Sequence, residues 1–167
     1  MLPAGSPAPL VRARVHGELI ALVDGAGACS YAELVAGAER MADRLLALRP
    51  DLEQARVVVL APPTHAFVIS QWAAWLAGGV AVPLSPTQPP AEWRYIAADC
   101  QASLAMVAPE FEAAFAPVAS ALRLTCVAPV APQDPLAGPG PKPARAAWPV
   151  TAPDRRALIL CTRGAPG

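Results

Sequence analysis

Short apolar runs and longer stretches of helical period succeed one another along the chain. Residues 20–24 (IALVD) form the first strand-like run, and 25–27 (GAG) turn the chain. Residues 30–33 (SYAE) spell a capping box, with the Ser30 oxygen placed to accept from the third helical N–H and Glu33 placed to reach back. Downstream, Leu34, Val35, Ala38, Met41, Ala42, Leu45 and Leu48 fall on one helical stripe. Glu39, Arg40, Asp43 and Arg44 take the opposite face, and Pro50 ends the helix.

Residues 56–61 (RVVVLA) read as a central parallel strand, because β-branched side chains follow one another without alternation. Pro62-Pro63-Thr64 then opens a helix that is apolar almost all round, through Phe67, Val68, Ile69, Trp72, Trp75 and Leu76, so deep burial is expected. Gly78-Gly79 provides its stop, and 80–84 (VAVPL) form the next strand. Pro89-Pro90 opens a helix with Glu92 in its first turn and Trp93, Ile96, Ala97 and Cys100 inward. Residues 104–107 predict a strand, and 109–122 a helix with Phe111, Ala114, Phe115, Val118, Ala119 and Leu122 inward. Residues 124–127 predict a short strand, and 156–161 (RALILC) one more. This succession predicts an α/β fold built on a parallel sheet.

A chain of 167 residues, 54% apolar, suits one domain or a large piece of a bigger one and is too hydrophobic for a mainly disordered chain. Thirteen basic residues balance thirteen acidic ones, which argues against nucleic acid or an anionic membrane surface as partner. Prolines concentrate in 128–153, which reads as a linker or irregular excursion. The expected organisation is a flexible leader over 1–8, an α/β subdomain over 9–127, that Pro-rich stretch, and a strand with a phosphate-loop remnant over 154–167. The first 17 residues lack Asp and Glu and carry Arg12 and Arg14, a faint likeness to the end of a mitochondrial transit peptide, although a short lead-in is the plainer reading.

Residues 57–91 hold no Asp, Glu, Lys or Arg, yet Ser70, Gln71, Gly78, Gly79 and Pro83 interrupt the run, so a buried helix and strand are expected rather than a transmembrane span. Cys29, Cys100, Cys126 and Cys161 are scattered singly and read as small buried apolar groups in a reducing compartment, with no metal site. His16 and His65 have no His, Cys or acidic neighbour at ligand spacing and read as ordinary surface or loop residues. Asp24, Glu33 and Asp99 read as turn or capping residues, and no catalytic residue is nominated.

A strand that runs into a Gly-rich loop can hold phosphate through converging N–H groups, as 162–167 (TRGAPG) would. On composition alone a plain tail outweighs that reading. The pattern GxxxxGK[ST] is absent, and Gly25-Ala26-Gly27 lacks a third glycine.

Several blocks nonetheless carry a wider resemblance: IALVD with SYAEL, then RVVVLAPP, SQWAAWLAGGVAVPL, YIAADCQA and ALILCT. The chain resembles the N-terminal part of the adenylate-forming acyl-CoA synthetases, and SQWAAWLAGGVAVPL resembles most their malonyl-CoA and methylmalonyl-CoA synthetase branch, which is mitochondrial in animals. The resemblance implies an incomplete parallel-sheet subdomain of an enzyme that uses ATP, Mg2+ and coenzyme A. A carboxylate attacks the α-phosphate of ATP, and the coenzyme A thiol then displaces AMP. The family's phosphate loop reads Tyr-Thr-Ser-Gly-Thr-Thr-Gly, so Thr162, Gly164 and Gly167 match it and become the candidate phosphate-binding residues. Arg163 replaces a small hydroxyl, while Ala165 and Pro166 remove hydroxyl donors and Pro166 also removes an N–H.

Three readings follow. The first is a shortened ligase fragment that is catalytically incompetent alone, mitochondrial by its branch and otherwise cytoplasmic. The second is a non-catalytic nucleotide-binding or regulatory fragment that pairs with a full-length enzyme. The third is an unstable translation product, self-associating through an incomplete sheet.

Overall fold

The computed structural model describes residues 7–25, 27–47, 49–128, 148–150, 152 and 154–161. Four strands make a parallel sheet in the order β4-β3-β5-β6: β3 (Arg56–Leu60), β4 (Val80–Pro83), β5 (Leu104–Val107) and β6 (Thr125–Val127). The β-branched run lies at its centre, and Val57, Val58, Val59 and Leu60 are all fully buried. Alternation divides them. Val57 and Val59 join the core on one face, and Val58 and Leu60 join the core on the other.

Helices α2 (Tyr31–Leu46) and α3 (His65–Leu76) build the first core, with α1 (Ala8–Val15) against α2. Helices α4 (Pro90–Asp99) and α5 (Pro109–Leu122) build the second. A hairpin of β1 (Ile20–Asp24) and β2 (Gly27–Ser30) precedes α2. The capping box is formed: Glu33 N donates to Ser30 Oγ at 3.3 Å, and Ser30 N donates to Glu33 Oε2 at 2.8 Å. The bonds that the carboxylate accepts, from Ser30 N and, at 2.9 Å, from Ser30 Oγ, hold the Glu33 carboxyl below its ordinary 4.5. The predicted stripe of α2 is buried from Leu34 to Leu45, while Leu48 lies outside the described residues.

Helix α3 accommodates its one fully buried hydroxyl by turning it inward, with Ser70 Oγ donating to Ala66 O at 2.8 Å. Gly78, at φ +80°, ends the helix as anticipated. Gly79 N donates to Ala74 O and Gly78 N to Trp75 O, the paired bonds of a Schellman motif.

Some expectations need correction. The lead-in contains a helix, α1, with Leu10 and Ala13 buried. Ala114 is exposed, because α5 turns only a narrow stripe to the sheet through Phe115 and Val118. Cys126 and Cys161 are exposed rather than buried. The strand expected over 156–161 contracts to a single parallel bridge between Leu158 and Ala81. Ala81 N donates to Ala157 O and Ile159 N to Ala81 O, both at 2.9 Å. The next donor along β4 on that side is Pro83, which has no N–H, so the ladder cannot extend. Of the Pro-rich stretch, residues 129–147, 151 and 153 lie outside the described residues, but Trp148 packs on the first core. Among the described residues no helix is long and apolar enough to cross a membrane.

Candidate functional site

Open parallel sheets bind ligands beyond the carboxyl ends of their strands. Here β3 and β4 end at Leu60 and Pro83 and open into a cavity of about 520 Å3. Ala61, Pro63 and Phe67 wall one side, the loop from Leu84 to Gln88 another, and Ile96, Leu160 and Cys161 the rest. The walls are mostly apolar, with Ser85, Thr87 and Gln88 as the polar groups, a composition suited to a small organic ligand. The loop is ordered by its own bonds: Ser85 Oγ lies 2.9 Å from Thr87 Oγ1, and Ser85 N donates to Gln88 Oε1 at 3.2 Å. Trp93 Nε1 of α4 donates to Ser85 O at 2.9 Å and ties the loop to the helix.

The segment 154–161 reaches this cavity under several restraints. Arg155 Nη1 sits 3.0 Å from Asp51 Oδ2 and 3.1 Å from Oδ1. Arg156 N donates to Gln54 Oε1 at 3.2 Å, and Trp75 Nε1 donates to Ala157 O at 2.6 Å. Asp51 and Gln54 bracket a tight turn in which Glu53 and Gln54 both take positive φ, +48° and +62°. Such backbone persists only where its surroundings over-determine it. Glu53 N donates to Asp51 Oδ1 at 2.8 Å, and Gln54 N to Gly78 O at 2.8 Å. Gly78 is required by space as well as by φ, since a Cβ there would overlap Asp51 Oδ1 and lie 3.0 Å from Arg155 Nη1. The α3 terminus, the 51–54 turn and Arg155 therefore form one latch.

The candidate phosphate-binding residues Thr162, Gly164 and Gly167 follow Cys161 directly, and lie outside the described residues together with Arg163, Ala165 and Pro166. What the structure shows is the anchored run that leads into them. Sequence reasoning missed Asp51, Gln54, Trp75 and Arg155 as its anchors. No periodicity links residues 104 positions apart, as Asp51 and Arg155 are.

His65 also departs from the surface reading. Its Nδ1 lies 2.6 Å from Asp24 Oδ2, and its backbone N donates to the same oxygen at 2.9 Å. Both side chains are largely buried, at 14% and 7% exposure. Asp24 thus serves as a cap, as expected, but for α3 rather than for a local turn. Among the described residues no three His, Cys, Asp or Glu side chains converge on one point.

The profile of the family described as AMP-binding enzyme matches residues 11–164. Malonate–CoA ligase ACSF3, mitochondrial, of Mus musculus is 33% identical over 170 residues, covering 98% of this chain and 28% of that protein. The chain therefore spans under a third of the length of that curated relative. Apo MatB from Rhodopseudomonas palustris superposes with a TM-score of 0.73 at 26% identity, over 92% of this chain and 32% of that one. ATP-bound MatB from the same organism gives a TM-score of 0.71 at 26% identity, over 90% of this chain and 31% of its own.

Proposed function

The chain belongs to the AMP-binding enzyme family, and on that premise we propose that it forms the N-terminal part of a mitochondrial ligase that activates malonate or methylmalonate with ATP and transfers it to coenzyme A. The observation that carries the reading is the match along 98% of the chain to a malonate–CoA ligase named as mitochondrial. The anchored segment 154–161 supports it, because it brings Cys161, the residue before Thr162 in sequence, to the cavity at the carboxyl end of the sheet.

In this reading the chain's own residues position rather than react. The latch through Asp51, Gln54 and Arg155 holds the approach to the loop beside the mostly apolar cavity. Backbone N–H groups around Gly164 and Gly167 supply donors to phosphate oxygens, and Thr162 adds a hydroxyl. Arg163 offers a cation where the family pattern has a small hydroxyl residue, which changes the loop from a cradle of donors toward charge attraction. Mg2+, which the family uses, would supply charge neutralisation at the phosphates.

The test is thermal denaturation of the chain with and without millimolar Mg-ATP, since a ligand at about a hundred times its Kd stabilises by about 2.7 kcal/mol. A rise in Tm that disappears in Gly164→Asp supports the reading, and no rise at millimolar ATP removes it. Substrate choice is tested by ATP–pyrophosphate exchange in the intact endogenous polypeptide. Exchange driven by malonate or methylmalonate but not acetate is expected, and equal exchange with acetate overturns the dicarboxylate assignment.

A further inference from the structure

Cys100 and Cys161 meet at the edge of the second core, with their sulfurs 3.8 Å apart although 61 residues separate them in sequence. Cys100 follows the last turn of α4 and is buried, while Cys161 is exposed on the cavity wall immediately before Thr162. We propose that Cys100 and Cys161 are a peroxide-sensitive dithiol that closes to a disulfide and pins the approach to the 162–167 loop against α4.

Geometry allows the closure. A disulfide needs its sulfurs about 2.05 Å apart, so the pair must close by under 2 Å from 3.8 Å. The side that must move is lightly held, because Cys161 lies beyond the single bridge between Leu158 and Ala81 and has no further ladder behind it. Exposure divides the roles. The exposed Cys161 thiolate attacks hydrogen peroxide, its sulfur is oxidised to the sulfenic acid, and the O–O bond breaks to release water once a proton is taken up. The Cys100 sulfur then attacks that sulfenic sulfur, the S–S bond forms, and hydroxide leaves and takes the Cys100 proton as a second water. Overall, two thiols and one peroxide give one disulfide and two waters. Burial, with the bond to Cys161, pushes the Cys100 thiol up to about 11, which leaves the exposed Cys161 as the first to meet the oxidant. Cys126, the other exposed thiol, lies on β6 and provides the internal control.

Tryptic cleavage isolates both cysteines, Cys100 within 95–123 and Cys161 within 157–163. The full chain is treated with stoichiometric hydrogen peroxide, free thiols are alkylated, and the digest is weighed without reduction. The expected product is 95–123 joined to 157–163, lighter than the two peptides by two hydrogens, with both free thiols lost in parallel. Cys126→Ser leaves that product unchanged. Cys100→Ser abolishes it and leaves Cys161 as the sulfenic acid at the same dose, trapped with dimedone, because a second equivalent of peroxide is needed to go further. Sulfenic Cys161 beside alkylated Cys100 in the unaltered chain, or Cys161 bridged to Cys126, overturns the proposal. The effect on the loop rests on the ATP-binding reading, whereas the bridged peptide does not. A reduced chain that ignores Mg-ATP refutes the former and leaves the latter standing.

Discussion

Replacing Gly78 with alanine puts a methyl group into the latch that joins α3, the 51–54 turn and Arg155. The cost has two separable parts. Gly78 has φ +80°, and a left-handed backbone strains an L-residue by about 1–2 kcal/mol. The added Cβ would also overlap Asp51 Oδ1 and lie 3.1 Å from Asp51 Cγ, so the carboxylate must swing away. That movement weakens the Arg155 ion pair and the bond from Glu53 N. A part-exposed pair and one such hydrogen bond together contribute about 1–2 kcal/mol. The expected loss is therefore about 2–4 kcal/mol, or a urea midpoint lower by about 1–2 M at a typical slope of about 2 kcal/mol per M. The assay is urea unfolding of Gly78→Ala in the native background and with Asp51→Ala. With the carboxylate gone, the backbone strain and the approach to Arg155 remain, so the substitution should cost about 1–2 kcal/mol less than before. An equal cost in both backgrounds would falsify the latch and leave Gly78 as a backbone requirement alone.

Three further outcomes are expected. Ser30→Ala removes the acceptor for Glu33 N and should cost about 1 kcal/mol. Ser30 Oγ also donates to the Glu33 carboxylate, which with the Ser30 N–H holds that carboxyl below 4.5 in the fold; this part of the contribution is present above 4.5 and lost as pH falls through the lower folded value, so urea midpoints from roughly pH 6 down to roughly pH 3 should show the gap between the two chains narrowing without closing. Asp24→Ala strips the acceptor from the His65 ring and amide and should cost about 1–3 kcal/mol, with faster hydrogen exchange at the His65 amide; unchanged exchange would mean the cap is dispensable. At the crossing of α2 and α3, a Cβ on Gly37 would lie 2.7 Å from Ile69 Cδ1, so Gly37→Ala should destabilise on balance, whereas with Ile69→Val the better helix propensity should make it stabilising by up to about 1 kcal/mol, as calorimetry can show.

What was legible in the sequence is what depends on near neighbours. The capping box is read within four residues, and α5 is bounded by Pro109 at its start and by Leu122 before a left-handed Arg123. The run RVVVL could only be a strand buried on both faces, and it is. The failures are non-local. Asp24 and His65 are 41 residues apart, and Cys100 and Cys161 are 61 apart, so no spacing rule connects them. The shortened final strand was recoverable in principle, since Pro83 was visible in VAVPL. It required knowing which side of β4 the new strand would join. The Thr162, Gly164 and Gly167 assignment came from family resemblance rather than from chemistry the residues display, and the structure adds only the path that leads to them.

The latch also sets an order of assembly. The β3, β4 and β5 pairings arise through crossovers of ordinary length, while the Arg155 contact with Asp51 closes a circuit of 104 residues. Closing so long a span comes late in folding, because its entropy must be met before the contact returns anything. Prolines crowd the stretch that must first bring its ends together, and their uncatalysed isomerisation takes roughly 10–100 s at room temperature. A nascent chain would thus hold β3, β4, β5 and β6 paired for some time before 154–161 bridges to β4. Proline isomerisation in the intervening stretch, rather than anything in those four strands, would then govern how quickly that segment takes its place.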